Sequence, residues 1–163
     1  MKDKKLLSDI KEYLKCYENQ VLEDWYELIR HISVSETGEG IETCCDWIQK
    51  KMEEIGIQVT KYSVKPAPVL VGRFGNDPEK KTVLIYAHYD VKPAGERKLW
   101  HSDPFVPTVR DGKVYARGSA DNKSPLMAHL KALEYFIRRK MEVPVNVIFV
   151  FEGDEECGSR GLE

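Results

Sequence analysis

TVLIYAHYD, residues 82–90, is the stretch on which the reading of this chain turns. Thr82–Ala87 is an uncharged, largely β-branched and aromatic run of strand length, and continuous apolarity marks a central strand buried on both faces. It runs directly into His88-Tyr89-Asp90. Residues two apart in an extended segment point the same way, so His88 and Asp90 face one site.

A second run of the same kind, VPVNVIFVF at 143–151, is the other buried strand, and it leads into EGDEECGS at 152–159. Packing that many like charges beside an apolar strand is costly unless a cation neutralises them or a pKa shifts. Between the two strands lies RGSADNK at 117–123, just before a helical pattern over Ser124–Arg139 in which Leu126, His129, Leu130, Leu133 and Phe136 share a side. Asp121 or Asn122 can cap that helix, and the same loop can present Asp121 to a metal. Taken one at a time the three loops are ordinary: a surface His and Asp, a helix cap, a solvated charge run. Together they place imidazole and carboxylates at the carboxyl ends of the strands of an α/β sheet, where catalytic residues gather.

Further out, Lys5–Ser33 has helical spacing, a second helix spans Ile41 to Ile55, and Gly56 ends it in the left-handed conformation glycine tolerates. Ile57–Val64 alternates as a strand, Val69–Phe74 is a short apolar strand, and Asp111-Gly112 turns a hairpin between Phe105–Val109 and Lys113–Tyr115. The expected architecture is α/β, a mixed sheet sandwiched between helices.

A 42% hydrophobic share with 32% charged residues supports a buried core, and a net charge of -2 gives no reason to expect nucleic acid as a partner. No run reaches the roughly 18 apolar residues that span a bilayer, and Met1–Lys15 lacks the apolar segment of a signal peptide, so membrane is not an expected partner and the cytoplasm is the expected compartment. Cys16, Cys44, Cys45 and Cys157 are then expected as free thiols. The chain stops at Gly161-Leu162-Glu163, just past its densest acidic cluster and before the helix that normally covers such a strand, so the sequence reads as cut.

AHYDV at 87–91, Trp100 with DPF at 103–105, YARGSADNK at 115–123 and EECGS at 155–159 resemble the dinuclear zinc metallopeptidases. That family includes aminoacylase, acetylornithine deacetylase, succinyl-diaminopimelate desuccinylase, glutamate carboxypeptidase and the carnosinase-like dipeptidases. Order and spacing agree with it: 33 residues from His88 to Asp121 and 35 more to Glu156. The resemblance implies two zinc ions, with cobalt or manganese as substitutes: His88 on one metal, Glu156 on the other and Asp121 bridging. It implies that Asp90 orients His88, that Glu155 is the general base, and that the peptide bond from Asp121 to Asn122 is cis. The implied substrate is a small peptide or N-acyl amino acid with a free carboxylate, with the dipeptidase branch closest. Family members run well over twice this length, so residues 1–163 correspond to the N-terminal part of the catalytic domain, without the remaining ligands and the lid or dimerisation domain. The chain alone is then expected to be incomplete and inactive. The competing reading is a non-catalytic module that keeps the fold and a weak metal site and pairs as a homodimer.

Overall fold

A computed structural model describes residues 2–162. The described residues form three α-helices and six strands: α1 (Lys2–Arg30), α2 (Ile41–Glu54), β1 (Gln58–Tyr62), β2 (Val69–Phe74), β3 (Thr82–His88), β4 (Thr108–Arg110), β5 (Lys113–Tyr115), α3 (Lys123–Arg138) and β6 (Asn146–Glu152). Four strands make one mixed sheet in the order β1-β2-β6-β3, and β4 and β5 form a separate hairpin. Strands β1, β2 and β6 pair antiparallel, whereas β3 runs parallel to β6. The α/β class with a mixed sheet is as expected.

The core lies between the helices and one face of the sheet. Residues two apart on β6, Val147, Phe149 and Phe151, point into it, joined by Leu70 from β2 and Ala87 from β3. Helix α2 contributes Cys44, Cys45, Ile48 and Met52, α3 contributes Leu126, Leu130 and Leu133, and α1 adds Leu28 from its last turns. Among the described residues the helices cover this face alone. The strand registers set Tyr86, Val150 and Val71 side by side on the opposite face, with Leu84, Ile148 and Arg73 as the next row.

This corrects the reading of Thr82–Ala87 as a central strand buried on both faces. Strand β3 is an edge strand, and Leu84 is 63% exposed and Tyr86 45% exposed. A continuous apolar run records what a strand can bury, not which cover it meets. Strand β6 is interior, beside β2, and its helix-facing residues are buried.

Two histidine expectations also change. His129 was read onto the apolar side of its helix but is exposed, one position short of the buried Leu130. The helical spacing of Lys5–Ser33 takes in His31, but this residue lies just past α1, where its ring packs on Trp47 with centroids 5.4 Å apart.

Cys44 and Cys45 are both buried, Cys16 is exposed and Cys157 is half-buried. Burial raises both buried thiols, and Cys45 is pushed up to about 11. At pH 8 about a thousandth of Cys45 is thiolate, the reactive form. A disulfide-exchange reagent at pH 8 is therefore expected to titrate Cys16 and Cys157 in the native protein and all four cysteines in denaturant. Rapid native labelling of Cys44 or Cys45, located by peptide mapping, would contradict the packing of α2 on the sheet.

Candidate active site

The parallel pairing of β3 with β6 ends at His88 opposite Glu152. The backbone N–H of Tyr89 donates to Glu152 O at 2.8 Å, carrying the ladder one step further. The two loops that follow therefore leave the sheet side by side. From the other direction Lys123, at the start of α3, brings in the loop that carries Asp121. Its buried ammonium donates to Leu28 O at 3.1 Å and His31 O at 2.5 Å, tying this loop to the end of α1. Burial lowers the Lys123 pKa.

His88 is buried, with Nδ1 3.2 Å from the Asp90 carbonyl oxygen and 3.3 Å from its carboxylate Oδ1. Its Nε2 lies 3.2 Å from Asp121 Oδ1 and 3.6 Å from Glu155 Oε2. Burial alone would lower the imidazole pKa. The hydrogen bond and charge of Asp90, with the charge of Glu155, override burial and hold the ring up to about 9. The expected neighbours His88, Asp90, Asp121 and Glu155 are thus brought together. Asp121 is the solvent-facing member, with a side chain 75% exposed, and the peptide bond from Asp121 to Asn122 is cis. Asn122 occupies the cap position of α3 but makes no side-chain capping bond.

Glu156 is oriented differently. Glu155–Cys157 is a single 3₁₀ turn, which points successive side chains about 120° apart. Glu155 turns to His88, while the Glu156 carboxylate lies 3.7 Å from the Lys92 ammonium. Among the described residues no three His, Cys, Asp or Glu side chains surround one point as a metal would require. The donor set still suits a metal: an imidazole nitrogen with Asp121 at its open end, a further carboxylate in the adjacent loop, and N/O donors of the kind zinc accepts. Lys92 already places a cation beside Glu156, and protonated His88 places another beside Asp121 and Glu155.

The other acidic residues of this loop are held by the protein. Asp154, 2% exposed, takes a two-pronged grip from the Arg160 guanidinium at 2.6 and 2.9 Å, which lowers its carboxyl pKa. Glu152, also buried, accepts hydrogen bonds from Tyr86 Oη at 2.5 Å and Ser159 Oγ at 2.7 Å. The pattern of charges alone does not separate these two carboxylates from Glu155 and Glu156; the resemblance of EECGS at 155–159 does. Gly153 lies between Glu152 and Asp154, where a Cβ would meet the Tyr89 ring and hydroxyl at 2.5 Å. Tyr89 cannot easily give way, being fully buried with its hydroxyl donating to Pro68 O at 2.7 Å.

Residues 84–163 match the model of Peptidase family M20/M25/M40. The chain is 44% identical over 117 residues to the Cys-Gly metallodipeptidase dug1 of Schizosaccharomyces pombe, covering 69% of this chain and 25% of that protein. It is 46% identical over 96 residues to the human Beta-Ala-His dipeptidase, covering 59% of this chain and 19% of that protein. The crystal structure of human carnosine dipeptidase 1 superposes with a TM-score of 0.90 at 30% identity, over 96% of this chain and 36% of that one. The matched part of this chain thus spans about a quarter or less of the length of these curated relatives.

Proposed function

We propose that this chain, whose residues 84–163 match Peptidase family M20/M25/M40, is a member of that family and that its residues serve metal-dependent hydrolysis of the peptide bond in a small peptide bearing a free carboxylate. The observation that carries the proposal is the meeting of Asp121 and Glu155 at the open nitrogen of a buried histidine whose other nitrogen faces Asp90. His88 and Asp121 would hold one zinc ion, and Asp121 with Glu156 a second. Bound metal would polarise the scissile carbonyl and acidify water. Asp90 fixes which imidazole nitrogen carries the proton, leaving Nε2 as the ligand end once the ring is neutral. Glu155, with a side chain 43% exposed, is free to take a proton from water and return it to the leaving amine.

Each proposed metal has two donors among these residues, one fewer than the usual three protein ligands. We propose that residues 1–163 are the N-terminal part of a catalytic domain and that further donors complete it. Zinc titration by calorimetry is then expected to show at most one ion per chain at micromolar concentration, lost in both His88→Ala and Asp121→Ala, with no appreciable hydrolysis. Turnover is tested in a chimera where this chain replaces the matching segment of the S. pombe metallodipeptidase, assayed on Cys-Gly and β-Ala-His. Zinc binding indifferent to both substitutions would sink the site, and a folded, zinc-loaded chimera without turnover would sink the catalytic reading. The Glu156 carboxylate, 3.7 Å from the Lys92 ammonium, favours as the second reading a non-catalytic module in which zinc only stabilises the fold.

A further inference from the structure

We infer that Asp90 is a positioning residue for Glu155 and Glu156 as well as for His88, a single carboxylate that sets the spacing between the histidine loop and the acidic loop. The inference rests on the hydrolytic reading for its functional meaning but stands on hydrogen bonds that any metal-free sample contains. Asp90 is fully buried. Its Oδ1 accepts the backbone N–H of Glu155 at 3.2 Å, and its Oδ2 accepts that of Glu156 at 3.0 Å. Oδ1 is the same atom that faces His88 Nδ1. Three polar groups from two loops thus converge on one side chain.

The Asp90 backbone is itself bracketed. Ser33, buried in the segment after α1, donates its hydroxyl to Tyr89 O at 2.7 Å and accepts the N–H of Val91 at 2.9 Å. The carboxylate is therefore presented from a fixed strand end, and the acidic loop docks onto it through main-chain amides. Main-chain docking suits this purpose because it leaves both glutamate side chains free. Charge-assisted bonds to backbone N–H groups are also the stronger kind.

An isosteric test separates positioning from general loop stability. In Asp90→Asn one acceptor oxygen becomes an NH₂ donor, so one of the two amides must lose its partner. In the wild-type protein without metal, the Glu155 and Glu156 amides are expected to exchange with solvent at least about tenfold slower than unprotected amides, despite lying in a surface turn. In Asp90→Asn at least one of them accelerates about tenfold or more and its proton resonance moves upfield, while the Phe149 amide in β6 is unchanged. Asp154→Asn breaks the Arg160 grip in the same loop and is expected to leave both amides as they were. Zinc affinity falls about 10–100-fold in Asp90→Asn, the usual loss when a ligand's supporting partner is removed. Unprotected wild-type amides overturn the inference even if the variant fails to fold. So does a shift of the same size in Asp154→Asn, or none in Asp90→Asn. Amides that behave as expected, together with a folded, zinc-loaded chimera that shows no turnover, would leave the inference standing and remove the hydrolytic reading.

Discussion

Glu155→Gln in the zinc-loaded chimera is expected to lower dipeptide turnover by about 10²–10⁴-fold, the usual loss on removing a general base, with zinc affinity changed less than about threefold. Glutamine keeps the size of the side chain but cannot accept a proton from water. Glu155 is outside the proposed ligand set, so the metal has no reason to leave. The size of the expected loss depends on there being no substitute nearby. Asp154 is buried under Arg160, and Glu152 is occupied by Tyr86 and Ser159. Glu156 is committed to the proposed second metal. The control is Glu156→Gln, which should lose zinc and turnover together. Turnover of Glu155→Gln within tenfold of the parent would remove Glu155 from its role.

Phe149→Ala is expected to destabilise the chain by about 3–5 kcal/mol, a large share of the roughly 5–15 kcal/mol that holds a domain together. With a urea m-value of roughly 2 kcal/mol/M, that lowers the midpoint by about 1.5–2.5 M. Phe149 is fully buried on an interior strand, between Gly72 of β2 and Ile85 of β3. Its ring lies 5.5 Å from that of Phe151, and a Cβ on Gly72 would come within 3.5 Å of its own Cβ. Hydrogen-bonded strands flank it on both sides and cannot move in to fill the space, so the loss belongs at the upper end of the range. A midpoint shift below about 0.5 M would mean that the interior of the sheet is not packed as described.

The elements and the site were legible to different degrees for physical reasons. Strand β2 spans Val69–Phe74 as expected, because its apolar run ends in a Gly-Asn-Asp-Pro turn. Helix α2 ends beside Gly56, whose φ of 84° is the left-handed value that stopping a helix requires. What could not be read was which strand lies inside the sheet. The neighbour of β6 on each side comes from more than sixty residues earlier, and apolar content does not encode that order. The candidate site was legible where chemistry and spacing coincide, at His88, Asp90, Asp121 and Glu155. It was not legible where geometry alone sorts identical side chains. Glu155 and Glu156 are the same residue type one step apart on a 3₁₀ turn, and Glu152 and Asp154 are set apart from them by burial. Lys123 was missed as a structural residue because hydrophobic patterning treats a lysine as surface, whereas here its ammonium is buried on two carbonyls.

The contact of Gly153 with Tyr89 has a consequence for how sequences of this kind can drift. Position 153 lies within the acidic run, yet its size limit is set by an aromatic ring that follows a different strand, β3. A methyl group at 153 requires the ring at 89 to shrink or tilt, and tilting would cost the bond from its hydroxyl to Pro68 O. The two positions therefore form one unit of substitution. Homologues with alanine at the position of Gly153 should carry a smaller residue at that of Tyr89, and mixed pairings should be depleted. In this chain Gly153→Ala alone should be poorly tolerated, and Gly153→Ala with Tyr89→Leu should recover part of the loss, a coupling that a double-mutant cycle measures directly.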